Sequence, residues 1–294
     1  LFTDPEESRA RLTLESLKIY RNFSEIVGGG DAGFVNTGFL VTVSKTEAVE
    51  AKRHVARQQN LGVSIMPISR EEGKELAPSF AFADDLLKAA INNPDRNPLY
   101  VKRDQFRHPY ETLSFFQINP SMSVLELAAG GGWYTEILGP YFKDSGKLVV
   151  THYNPDAGKY FKRSRDAYEK KVLNNPLFQG IKVVTGNIPP TEPYIQSESI
   201  DMVLTFRNLH NWLARDSMKE VMNEAYKALK PGGYFGVVEH RAPEGSSLAF
   251  MKTSGYVTQS LAIKVAESIG FELIATSEIN ANNKDTKDHP KGVW

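Results

Sequence analysis

The chain has 294 residues, with 35 Lys and Arg against 35 Asp and Glu, so its formal net charge is zero. Hydrophobic residues make up 41% and charged residues 24%, which suits one large or two modest buried cores and excludes global disorder. A balanced charge gives no basic field for a phosphate backbone, so no nucleic acid partner is expected. The absence of cysteine excludes disulfides, thiolate nucleophiles and Cys-based zinc sites.

Residues 1–84 read as a small α+β appendage. Helical spacing over 5–23 places Leu12, Leu14, Leu17 and Tyr20 on one stripe, and the glycine cluster at 28–33 ends it. Residues 34–43 read as a strand or hairpin, 46–59 as a helix and 63–68 as a short strand. Ser69 and Glu72 have the spacing of a capping box that opens a third helix. Residues 85–120 read as a helical lid or linker, with helices over 85–91 and 110–117 around a polar, proline-punctuated stretch.

From 121 to 294 the pattern alternates. Apolar runs at 124–127, 147–151, 181–184, 202–206 and 234–238 read as five strands, with helical segments between them, including 217–229. A helix over 255–269 and a strand over 271–277 follow. Near-continuous apolar strands alternating with helices predict a Rossmann-like, doubly wound α/β fold with a mostly parallel sheet. Its ligand crevice lies beyond the carboxyl ends of the strands. No run of about 18 apolar residues occurs, so no membrane-spanning helix is expected. The first residues lack a basic and apolar export layout, so the chain as it stands is expected to be soluble and cytoplasmic.

The first strand of the second region ends in Glu126, Ala128, Gly130 and Gly132, at alternate positions, before a helix. Small residues there let a ligand lie against the backbone at a helix N-terminus. The spacing is not the Gly-x-Gly-x-x-Gly of dinucleotide folds. A tight turn without any ligand is the plain alternative.

This turn resembles the first motif of class I S-adenosylmethionine (AdoMet) methyltransferases, acid-x-Gly-x-Gly-x-Gly. Asp201 at the fourth strand and the Leu229–Gly233 turn before the fifth resemble that family too. The resemblance implies AdoMet as cofactor, with Glu126, Ala128, Gly130 and Gly132 along its methionine part. It implies Tyr134 and Phe206 flanking the cofactor and Asn187 meeting the adenine amino group. The end of the second strand departs from the family. An acid usually grips both ribose hydroxyls there, and this chain offers His152 and Asn154 instead.

The stretches 103–109, 132–134, 207–212, 239–241 and 277–286 together resemble a group of predicted bacterial methyltransferases of unassigned substrate, often made with an export signal. Residues 8–84 resemble instead a fragment of the substrate domain of FAD-dependent amine oxidoreductases of the sarcosine and dimethylglycine type, on the stretches 16–23, 29–34, 37–40 and 58–62. The nucleotide-binding turn of that family does not occur, so no flavin site is expected.

Methyl transfer is an in-line displacement that needs an aligned, deprotonated nucleophile and exclusion of water. His210, after the fourth strand, is the candidate base or orienter, with Asn208 beside it and His240 on the same rim; a structural cap is the alternative for His210. Arg241 is a candidate for holding a substrate carboxylate or phosphate, or for pairing with Glu239. Arg103, Arg107, His108 and Tyr110 read as a lid over cofactor or anionic substrate; the alternative pairs Arg103 with Asp104 and Arg107 with Glu111. His108, His152, His210 and His240 lack metal-ligand spacing, so no metal is expected. The leading expectation is methyl transfer from AdoMet to a small-molecule acceptor. The alternatives are a non-catalytic nucleoside-binding or interaction module, and a flavin-linked amine oxidoreductase remnant fused to a methyltransferase.

Overall fold

The computed structural model describes residues 14–16, 48–69, 72 and 83–294. The chain divides into two compact units, Leu1–Ala81 and Phe82–Trp294. In the first unit, residues 14–16 are helical and helix α1 spans Ala48–Asn60. The capping box forms: the Ser69 N–H donates to the Glu72 carboxylate at 2.6 Å, and the Glu72 N–H to Ser69 Oγ at 3.1 Å. Residues 63–68 join no ladder, contrary to expectation. A strand needs a partner edge, and the described residues of this unit supply none. The rest of the expected 5–23 helix and the 34–43 strand lie outside the described residues.

The second unit opens with four short helices, α2 Ala83–Ile91, α3 Pro98–Val101, α4 Asp104–Arg107 and α5 Pro109–Phe115. Then come β1 Ser123–Leu127, α6 Thr135–Phe142, β2 Lys147–Tyr153, α7 Lys159–Asn174, β3 Lys182–Gly186 and β4 Ile200–Phe206. The chain continues through α8 Leu209–Ala214, α9 Met218–Ala228, β5 Leu229–Val238, α10 Leu248–Ser254 and α11 Gln259–Glu267. All strand pairs are parallel, in the order β3-β2-β1-β4-β5. The fold is therefore Rossmann-like α/β, and the crossover direction reverses between β1 and β4.

Side-chain alternation along each strand builds two cores. Val124, Val150, Met202 and Leu204 face one way and bury Leu113, Ile137, Leu138 and Phe178. Leu125, Val149 and Val203 face the other way and bury Trp212, Val221, Met222 and Ala225. Asp201 pins the base of the sheet: it accepts from the Ser123 N–H at 2.8 Å and pairs with Lys230 at 2.6 Å.

The expected strand at 271–277 is not paired into the sheet. It is irregular and mostly exposed, with Ile274 at 70% exposure, and it lines a slot of about 1230 Å³ together with β5. The expected helix over 255–269 is shorter, α11 at Gln259–Glu267, and a separate helix that was not expected, α10, precedes it. Gly255, at φ 76°, ends α10, and Thr258 Oγ1 caps α11 by accepting from the Leu261 N–H at 3.3 Å.

Candidate active site

The turn after β1 sits at the switch point, and its three glycines are bare for different reasons. A Cβ on Gly132 would fall 3.0 Å from Phe178 and Tyr168, so packing demands that glycine. A Cβ on Gly131 would fall 2.6 Å from the Tyr100 hydroxyl. A Cβ on Gly130 (φ 59°) would meet nothing within 4 Å, so Gly130 alone of the three faces open space. Thr151 holds the turn to β2: its Oγ1 accepts from the Ala128 N–H at 2.8 Å, and its carbonyl from the Ala129 N–H at 3.3 Å. Glu126 is enclosed below the turn. It accepts from Thr135 Oγ1 at 2.7 Å, and burial pushes its carboxyl up to about 7. A cavity of about 10 Å³, room for one water, lies against Leu127, Ala128 and His152.

His152 departs from the expected ribose contact. Its Nδ1 accepts from the Tyr153 N–H at 2.9 Å, so Nε2 carries the proton and donates to the Gly130 carbonyl at 2.9 Å. Burial lowers its pKa and keeps it neutral. Both ring nitrogens are thus spent on backbone, and the imidazole braces the glycine turn instead of offering an acceptor. Asn154 and Asn187 do come together, with the Asn154 amide donating to Asn187 Oδ1 at 2.7 Å. Asn187 in turn donates to Thr191 Oγ1 at 2.7 Å.

Phe206 stacks on Tyr134 with ring centroids 3.4 Å apart. Asn208 turns inward: its amide nitrogen lies 3.2 Å from the carbonyls of Leu127, Ala128 and Phe206 and 3.1 Å from Thr205 Oγ1. It ties the ends of β1 and β4 together. His210 Nδ1 lies 2.9 Å from Glu239 Oε1, and the other Glu239 oxygen accepts the His210 N–H at 3.2 Å. The carboxylate fixes the proton on Nδ1 and leaves a lone pair on Nε2, where the Asn211 amide nitrogen sits at 3.2 Å. Burial lowers the His240 pKa to about 4 against the pull of Glu239, so this ring is neutral at physiological pH. The His210 and His240 rings lie 5.8 Å apart.

The alternative pairing of Glu239 with Arg241 does not occur. Arg241 binds both oxygens of Glu278, at 2.7 and 2.5 Å, and Gln259 at 3.0 Å, so its fork is filled by the protein. Asp104 does not serve Arg103 either. It takes a bidentate pair from the buried Arg96 at 2.7 and 3.0 Å. Arg107 lies over the Trp133 ring at 4.6 Å and has no ion pair with Glu111. His108, at φ 41°, is the elbow between α4 and α5, and Tyr110 receives Lys88 over its ring at 5.3 Å.

The sequence reading missed Tyr100, whose hydroxyl donates to the Gly131 carbonyl at 2.9 Å while its own carbonyl accepts from Trp133 Nε1 at 2.9 Å. No motif marks it; only folding brings α3 onto the turn. Among the described residues, no group of three or more His, Cys, Asp or Glu side chains lies close enough to hold a metal, and no helix is long and apolar enough to cross a membrane.

Residues 125–237, from β1 into β5, match the family model described as a methyltransferase domain. A ubiquinone/menaquinone biosynthesis C-methyltransferase (UbiE) of Legionella pneumophila (strain Paris) is 30% identical over 132 residues, 45% of this chain and 48% of that protein. The chain thus spans about half the length of the C-methyltransferases it matches. A polyketide synthase-nonribosomal peptide synthetase of Phaeosphaeria nodorum is 26% identical over 61% of this chain and 4% of its own length. A SAM-dependent methyltransferase structure from Aquifex aeolicus aligns over 65% of this chain and 89% of its own, at 15% identity and a TM-score of 0.46.

Proposed function

We propose that the chain transfers a methyl group from AdoMet to a small-molecule acceptor. The observation that carries this reading is Gly130. It is bare toward open space at the sheet's switch point, inside a segment matching a methyltransferase domain. The residues present suit the cofactor. The Gly130 backbone allows close approach, the mutually bonded neutral amides of Asn154 and Asn187 stand at the adenosine end, and the Tyr134–Phe206 stack walls the other side. No carboxylate stands at the end of β2 for the ribose; Asn154 Oδ1, which already accepts from the Asp156 N–H at 2.9 Å, has one remaining lone pair to offer there.

AdoMet supplies an electrophilic methyl on a sulfonium. The chain's own part is positioning and proton handling. Glu239 holds the His210 tautomer, and Nε2 takes the acceptor's proton once Asn211 swings aside. The 103–110 segment excludes water. A small acceptor, not nucleic acid, is supported by the zero net charge.

Calorimetry of the full chain with AdoMet and with its demethylated product should show micromolar binding to both. No binding at millimolar ligand would sink the proposal. The second reading, a non-catalytic nucleoside-binding module, is favoured by the loss of His152 to the turn brace; such a module would bind both nucleosides without any turnover. We read residues 1–84 as a non-catalytic appendage. A yellow, flavin-containing preparation would contradict that.

A further inference from the structure

Three arginines, Arg103, Arg107 and Arg207, feel one another's charge at this rim, and among the described residues none of them is in an ion pair. Arg107, on α4, lies over Trp133 at 4.6 Å, and its Nε is buried with no hydrogen-bond partner. Trp133 meets Tyr134 edge-on at 4.5 Å, Tyr134 stacks on Phe206, and Arg207 follows directly, half-buried with its backbone at φ 62°. The aromatic chain Trp133–Tyr134–Phe206 therefore carries the Arg107 guanidinium at one end and leads into Arg207 at the other. Arg103 adds a third charge from the exposed end of the same segment. Among the described residues, none of the three has a carboxylate within ion-pair distance. Asp104 is taken by Arg96, Arg241 has Glu278, and Glu239, the acid nearest Arg207, is bonded to His210 and two backbone N–H groups.

Like charges this close repel. Burial, and then the charges of Arg207 and Arg103, lower the Arg107 pKa to about 10. The Trp133 face offsets this repulsion without neutralising the charge, and planar forks recognise carboxylate and phosphate.

We infer that Arg107 and Arg207 bind an oxyanion, carboxylate or phosphate, carried by the methyl acceptor. This rests on the methyl-transfer reading and names its substrate class. The anion is held beside the His210–Glu239 pair, because Arg207 follows directly after β4, three residues before His210, and feels the charge of Glu239. Two fixed charges would orient the acceptor's nucleophile toward the methyl group.

The experiment is a calorimetric titration of the full chain with benzoate, phenyl phosphate and neutral benzyl alcohol, with and without S-adenosylhomocysteine. One or both anions should bind and the alcohol should not; the tighter anion tells carboxylate from phosphate. Arg107→Gln and Arg207→Gln should each weaken anion binding about tenfold while S-adenosylhomocysteine affinity stays within about twofold. Arg103→Gln, an exposed change that leaves packing untouched, should weaken it about threefold.

Failure of both anions to bind, equal binding of the alcohol, or unchanged affinity in all three variants overturns the inference. A parallel loss of S-adenosylhomocysteine binding also overturns it, since the arginines would then hold the cofactor's own carboxylate. Failure of S-adenosylhomocysteine to bind the unaltered chain, with anion binding intact, would count against methyl transfer alone.

Discussion

His210 can act only through the pair it forms with Glu239. His210→Ala should lower kcat about a hundredfold or more while AdoMet affinity stays within about twofold, and Glu239→Gln should do the same more weakly. Steady-state kinetics beside calorimetry decides, and the reverse pattern would make His210 a cofactor contact. Glu126 sets a pH dependence. Its carboxyl rises from 4.5 to about 7 on folding, so the folded state holds the proton more tightly and stability falls as pH climbs between those values. Glu126→Gln should therefore stabilise the chain at pH 8 by on the order of 3 kcal/mol and change little at pH 4. His240 acts oppositely. Its pKa drops from 6.5 to about 4, so stability is lost as pH falls through that window. The glutamine variant should expose this slope in thermal melts between pH 4 and 6.5. At this scale the sequence named the residues better than their partners. Spacing two apart on a strand end offers Glu239 and Arg241 as a pair, yet each is claimed by a side chain distant in sequence.

At the level of elements, the five strands were legible because both faces of a parallel sheet are buried, which leaves unbroken apolar runs. Residues 271–277 have similar apolar character, but a strand also needs an edge to join, and no local pattern reports whether one is offered. The signals for α10 are Ser247, which caps it, and Gly255, which ends it, but its seven residues are too few for apolar periodicity to mark a helix between them. Asn208 shows the limit most clearly. A polar residue after a strand reads as chemistry, whereas its amide stitches two strand ends together. Asn208→Ala should destabilise the fold by about 1–3 kcal/mol in denaturant unfolding, from stranded carbonyls at the end of β1. A loss of activity without loss of stability would return it to a direct role.

Across the whole molecule, the second unit has a core on each side of its own sheet. A chain beginning at Phe82 should therefore melt in one cooperative transition and keep AdoMet affinity; aggregation on expression would show that residues 1–81 are integral. Their resemblance to an oxidoreductase fragment was legible only as separated motifs, and most of these fall outside the described residues.

The sheet stops at β5, whose outward backbone donors and acceptors face the slot. Such a border is adhesive to any extended peptide, and the exposed Ile274 across the gap adds grease to it. Concentrated solutions should scatter light increasingly with time. Ile274→Lys should slow that growth by placing a gatekeeper charge at the mouth, and unchanged turbidity would mean that the border is already shielded.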